Sequence, residues 1–223
     1  MNERFQNRSE AGRLLAEKLH RYSDNPKVVV LALPRGGVPV GYEIATQLNV
    51  PLKIFLVRKL GVPGHEEFAM GAIASGGIWF VNEQIVRQLG ISQQQVQQVI
   101  EQEERELERR LKAYGAEFSS IPVRDQIIIL VDDGLATGAT MRAAVAALKP
   151  QHPDRIIVAV PVASASTCEE LGHEVDEMIC ARTPEDFYAV GQGYEDFSQT
   201  SDDEVRELLR RAQARVETAP AVF

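Results

Sequence analysis

Apolar residues along this chain gather in short unbroken runs rich in β-branched side chains, separated by stretches in which they recur every three or four positions. The runs 27–33 (KVVVLAL), 51–57 (PLKIFLV), 127–131 (IIILV) and 155–160 (RIIVAV) read as strands covered on both faces, the pattern of a central parallel sheet. Shorter strands are expected at 69–74, at 78–81 and, on a sheet edge, at 175–180. Helical periodicity marks 8–22, with Leu14, Leu15 and Leu19 inward, then 38–48 and the run MRAAVAALK that comes after Thr140. Residues 164–171 form a short helix ended by Gly172. Ser201 and Glu204 frame a capping box for a last helix to about residue 214. Strands alternating with helices predict an α/β fold whose mostly parallel sheet is flanked by helices.

One helix stands apart. Residues 92–115 open on Ser92 with Gln95 three positions on, a second capping box. Their apolar stripe (Val96, Val99, Ile100, Leu107, Leu111, Tyr114) thins across EQEERELE, and Glu101/Arg105 and Glu106/Arg110 stand one turn apart. A solvated surface helix, a dimer contact and a lid all suit that pattern. Its place between a glycine-rich stretch and the strand at 127 marks it as an insertion. The chain is thus read as a single domain, 1–223, with a core at about 25–182, a loop and helical insertion at about 60–120, and a C-terminal hood and helix at about 183–223.

The chemistry concentrates where strands end. The run IIILV leads into Asp132-Asp133, a small-residue turn and a helix start, IIILVDDGLATGAT. Open α/β sheets place ligands at the carboxyl ends of their strands. Two adjacent carboxylates accept hydrogen bonds from neighbouring hydroxyls or help hold a hard cation. The small loop after them suits a phosphate at the next helix N-terminus, with Thr137 and Thr140 adding hydroxyls. No Gly-Lys-Ser/Thr comes next, so a Walker A loop is a poor match. The strand at 27–33 ends at Pro34-Arg35-Gly36-Gly37, where two glycines admit a ligand close to the backbone and Arg35 offers a fork of donors. The strand at 51–57 delivers Arg58-Lys59 into the glycine-rich stretch LGVPGHEEFAMGAIASGG.

This ordered string resembles the PRPP (5-phosphoribosyl-1-pyrophosphate) motif of the type I phosphoribosyltransferases, whose fold is Rossmann-like. The resemblance implies that Asp132 and Asp133 meet the ribose hydroxyls and that Ala136, Thr137, Gly138, Ala139 and Thr140 cradle the 5′-phosphate. Family members carry a similar Arg-Gly-Gly loop, often with a non-proline cis peptide, so Arg35, Gly36 and Gly37 are assigned to pyrophosphate. Arg58 and Lys59 match basic residues at the start of a mobile loop that closes over PRPP, and His65, Glu66 and Glu67 fall within that loop as candidate acid or base groups. Family members that act on 6-oxopurines often carry an acidic residue where this chain has Ala136, which weakens that assignment. Tyr188, Tyr194 and Phe197 are candidates either for stacking on a base or for packing the C-terminal segment.

The resemblance implies a Mg²⁺-dependent glycosyltransferase that moves the phosphoribosyl group to a nitrogenous acceptor. Asp132, Asp133, Arg35 and Lys59 form its catalytic set, with the Asp pair near the metal, through water if not directly. A PRPP-sensing regulatory protein and a hydrolase using water as acceptor are the other readings. The net charge of −8 counts against broad nucleic-acid contact. Four histidines form no metal-binding spacing, and Cys168 and Cys180, outside any CxxC pattern, read as buried or free thiols. No run approaches a membrane span or a signal-peptide core, so a cytoplasmic protein of nucleotide metabolism, forming a homodimer, is expected.

Overall fold

The computed structural model describes residues 4–115 and 123–218. Five strands, β1 (Val28–Ala32), β2 (Leu52–Ile54), β6 (Ile127–Val131), β7 (Arg155–Val162) and β8 (Glu177–Arg182), form one parallel sheet in the order β2-β1-β6-β7-β8. β1 and β6 lie beside each other in the middle, with Val28 opposite Ile127 and Ala32 opposite Val131. Their alternate side chains divide between two cores, as the two-residue strand period requires. Val28, Val30, Ile127 and Ile129 pack against Leu15 and Leu19 of α1 (Arg8–Lys18) and its end, Ile44 and Leu48 of α2 (Gly37–Leu48), and Val205 and Leu209 of α7 (Asp202–Thr218). Val29, Leu31, Ile128 and Leu130 pack against Met141, Val145 and Leu148 of α5 (Ala139–Leu148) and Leu171 of α6 (Ala165–Gly172). Every residue of β1 and β6 is buried, which is why both strands read as unbroken apolar runs.

The segment after β2 departs from expectation. The strand expected at 51–57 stops at Ile54, and the glycine-rich stretch after it is an antiparallel ribbon of β3 (Val57–Val62), β4 (His65–Ala74) and β5 (Ile78–Val81). Arg58 and Lys59 therefore lie inside β3, opposite Ile73 and Ala72, and His65 and Glu66 lie inside β4. Gly61 and Gly71 of that stretch serve strand contact, while Gly64, Gly76 and Gly77 make the turns between the strands with positive φ. A Cβ on Gly71 would stand 2.1 Å from the Phe80 carbonyl oxygen across the ribbon.

α3 (Glu83–Gln88), which the periodicity did not reveal, leads to α4 (Gln93–Tyr114). α4 opens on the expected capping box, the Ser92 hydroxyl accepting from the Gln95 amide and the Gln95 side-chain oxygen accepting from the Ser92 amide. Ile100, Leu107 and Tyr114 of its stripe are buried, and Glu106 pairs with Arg109 and Arg110. Glu101 accepts from the Gln97 amide. α1 ends at Lys18 ahead of a 3-10 turn (His20–Tyr22), and α7 runs on to Thr218.

The cysteines also require a correction. Cys168 on α6 and Cys180 on β8 form a disulfide, with Cα atoms 6.5 Å apart. α6 is the crossover that returns the chain from β7 to β8 and packs along β8, which brings the two positions together. Among the described residues, no helix is long and apolar enough to cross a membrane.

Candidate functional site

The carboxyl ends of β1 and β6 are side by side, so the turns that leave them are forced together. The Leu33 amide donates to the Val131 carbonyl (2.8 Å). The chain then turns through Pro34-Arg35-Gly36-Gly37 into α2, and the Pro34–Arg35 peptide is cis. A Cβ on Gly36 would lie 1.9 Å from Asp133 Oδ2, and one on Gly37 would lie 2.8 Å from the Val131 oxygen and 3.0 Å from the Asp132 Cα. Both glycines leave room for the acidic tip of the next strand. Sequence reasoning credited them with room for a ligand.

The Asp pair is closely held. The Asp133 amide donates to Asp132 Oδ1 (2.8 Å). Burial, and then the neighbouring Asp133 charge, push the Asp132 carboxyl well above the usual carboxylate range, while that amide bond and Arg8 pull the other way. Arg8 Nε donates to Asp133 Oδ2 (2.9 Å), and Nη2 lies 2.9 Å from the same oxygen in an ion pair. The Tyr194 hydroxyl donates to the Asp133 carbonyl (2.6 Å), and burial foremost, with the Asp133 charge next, pushes that phenol upward. Sequence reasoning missed Arg8 and left Tyr194 between two roles. Tyr194 is a buried packing residue that stacks on Phe197, whereas Tyr188 is exposed.

Beyond the pair, the Leu135 amide donates to the Val162 carbonyl (2.9 Å) and fixes the start of the next loop on β7. Ala136, Thr137, Ala139 and Thr140 are exposed there. Gly138 adopts φ +69°, a left-handed turn that favours glycine, and leads directly into α5. The first-turn amides of a helix have no intrahelical partners, so this loop ends on the positive pole of α5.

The cationic residues fall into two places. Arg35 Nη1 lies 3.6 Å from Asp202 Oδ1 at the start of α7. Tyr114, at the end of α4, is at the same spot, its phenol raised by burial and then by a hydrogen bond to Asp202. Arg58 forms an ion pair with Glu103 of α4. Arg58, Lys59, Glu66, Gln95, Gln102 and Thr140 are among the residues lining a cavity of about 630 Å³ between the ribbon, α4 and α5. Thus Lys59 and Thr140 share one cavity, Gly36 and Gly37 meet the Asp pair, and Arg35 turns toward α7. Glu66 reaches the cavity lining, while His65 is an exposed residue at the start of β4. The side chain of Glu67 lies outside the described residues.

Residues 3–197 match the family model described as the phosphoribosyl transferase domain. The chain belongs to that family. All the site residues from Arg8 to Tyr194 fall within the matched phosphoribosyl transferase domain, whereas Asp202, the partner of Arg35, lies beyond it. Two Mycobacterium tuberculosis proteins that carry a provisional phosphoribosyl transferase name, Rv0571c and MT0597, are each 41% identical to this chain over 218 residues. Those residues are 98% of this chain and 49% of each relative, so the chain spans about half the length of the curated relatives it matches. The crystal structure of TT1426 from Thermus thermophilus superposes with a TM-score of 0.84 at 37% identity, covering 94% of this chain and 99% of that one.

Proposed function

We propose that this chain is a Mg²⁺-dependent phosphoribosyltransferase that moves the 5-phosphoribosyl group of PRPP to a nitrogenous acceptor of the nucleobase type and releases pyrophosphate. The observation that carries the reading is the contact between the two loops. Gly36 abuts Asp133 so closely that a sugar diol held by the Asp pair would stand beside the Arg-Gly-Gly turn, with the phosphate loop at the start of α5 next along the chain.

In this reading Asp132 and Asp133 accept hydrogen bonds from the ribose hydroxyls and favour positive charge developing on the sugar. The loop of Ala136, Thr137, Gly138, Ala139 and Thr140 holds the 5′-phosphate at the pole of α5. The anomeric C–O bond to pyrophosphate breaks through an oxocarbenium-like state, and the lone pair of the acceptor nitrogen forms the new bond. Arg35, Arg58 and Lys59 offset the charge that grows on the departing pyrophosphate. Among the described residues no group of three or more His, Cys, Asp or Glu could hold a metal ion. A two-carboxylate donor set still fits Mg²⁺, which commonly keeps several waters and completes its shell with substrate phosphates. The metal, when bound, supplies further charge neutralisation at the leaving group. Asp132 and Asp133 would hold it directly or through water.

Pyrophosphate release across a panel of nucleobases with Mg-PRPP tests the proposal. One base should give base-dependent release. Lys59 is exposed, so Lys59→Gln should keep the melting temperature while lowering turnover by roughly tenfold to a hundredfold, as removal of a charge at a leaving group does. Release of ribose 5-phosphate without any base would mean a hydrolase, and PRPP binding without turnover would mean a sensor. Either result would overturn the transferase reading.

A further inference from the structure

Arg8 stands at the Asp pair without a task in the scheme above. Residues 5 and 6 pair with the C-terminal segment through the Phe5 amide to the Gly193 carbonyl (2.8 Å), the Glu195 amide to the Phe5 carbonyl (2.7 Å) and the Asp196 amide to the Gln6 carbonyl (2.9 Å). Asn7 then caps α1, accepting from the Glu10 amide (3.0 Å), so Arg8 is the first helical residue and leaves the cap in a fixed direction. Its guanidinium is anchored on three sides. Nε and Nη2 hold Asp133 Oδ2, Nη1 donates to the Ser198 carbonyl (2.8 Å), and the guanidinium carbon lies 4.1 Å from the centre of the Phe197 ring. Only 12% of the side chain is exposed.

Asp133 Oδ2 is enclosed between this fork and Gly36, the carbon of a Cβ there being nearer to Oδ2 (1.9 Å) than to Oδ1 (3.1 Å). Oδ1, outside this fork and in a side chain that also hydrogen-bonds the Asp132 carboxyl, is the oxygen that would meet a ligand. We propose that Arg8 is a positioning residue for ribose recognition: by engaging one oxygen of Asp133 it fixes the carboxylate so that the other accepts from a single ribose hydroxyl. The inference rests on the phosphoribosyl reading of the site and adds to it a residue 125 positions before Asp133. An ammonium would hold the oxygen as a point charge, without the planar fork that sets the carboxylate's orientation.

Calorimetric titrations with ribose 5-phosphate, its 2-deoxy and 3-deoxy analogues and inorganic phosphate test it on the wild type, Arg8→Gln and Arg8→Lys. Arg8→Gln should weaken ribose 5-phosphate by at least about tenfold, the scale of a charge-assisted hydrogen bond, and Arg8→Lys by less. The penalty should vanish for the one deoxy sugar that lacks the hydroxyl taken by Asp133, and inorganic phosphate should bind all three proteins alike. Equal losses for all four ligands would make Arg8 a structural strut joining α1 to the C-terminal segment, and would overturn the proposal. So would unchanged binding of ribose 5-phosphate by Arg8→Gln. A wild type that binds none of the ligands would overturn the functional reading itself, and Arg8's role with it.

Discussion

Gly36→Ala is expected to abolish PRPP binding while the fold still assembles. The new methyl would sit 1.9 Å from Asp133 Oδ2 and 2.4 Å from Cγ, well inside van der Waals contact. Asp133 cannot simply swing aside, because Arg8 holds the same oxygen and Tyr194 holds the carbonyl behind it. The Arg-Gly-Gly turn and the acidic tip must instead move apart. A displacement of about 1 Å in a reacting geometry costs roughly a hundredfold, so the loss in kcat/KM or PRPP affinity should reach at least that size. The strain should cost about 1–3 kcal/mol of stability, the range for overpacking a filled site, which leaves a cooperative melt at a lower temperature. Calorimetry and a thermal melt on the same sample read both effects. Near-normal PRPP binding by the alanine variant would mean that the two loops do not meet.

Ile129→Ala should have the largest effect on stability. Ile129 is fully buried at the middle of β6, between β1 and β7, and faces the core shared with α1, α2 and α7. Truncating a buried isoleucine removes transfer energy and leaves a cavity, together about 2–5 kcal/mol, and strands hydrogen-bonded on both sides have little freedom to close the gap. Urea unfolding should show a lower midpoint with the slope unchanged. A loss below about 1 kcal/mol would contradict so tight a packing of the strand that carries the Asp pair.

The same strand shows what was legible in the sequence. Residues 127–131 are buried on both faces, so their burial is written as an unbroken apolar run, and the ligand-facing end is marked by the abrupt change to Asp132. The capping box of α4 was legible because it is local, with Ser92 and Gln95 in one turn. The ribbon was legible in part, with strands expected at 69–74 and 78–81, but β3 and the start of β4 were not, because a glycine that admits a neighbouring strand and a glycine that makes a loop are the same letter. Gly71 is the first kind. The largest omission, Arg8, is tied to Asp133 through the pairing of residues 5–6 with 193–196, nearly the whole chain apart. Nothing in RSEAG hints at it, nor does any local pattern join Cys168 to Cys180. Arg35 was placed by its motif, yet its contact with Asp202 depends on where α7 docks.

Calorimetric titration of Mg-PRPP into the wild-type protein and into the Asp132→Asn/Asp133→Asn double variant tests the central claim most directly. The wild type should bind, and the double variant should lose that binding while keeping its cooperative melt. Equal binding by both proteins, or none by the wild type, would contradict the assignment of the Asp pair as the ribose site.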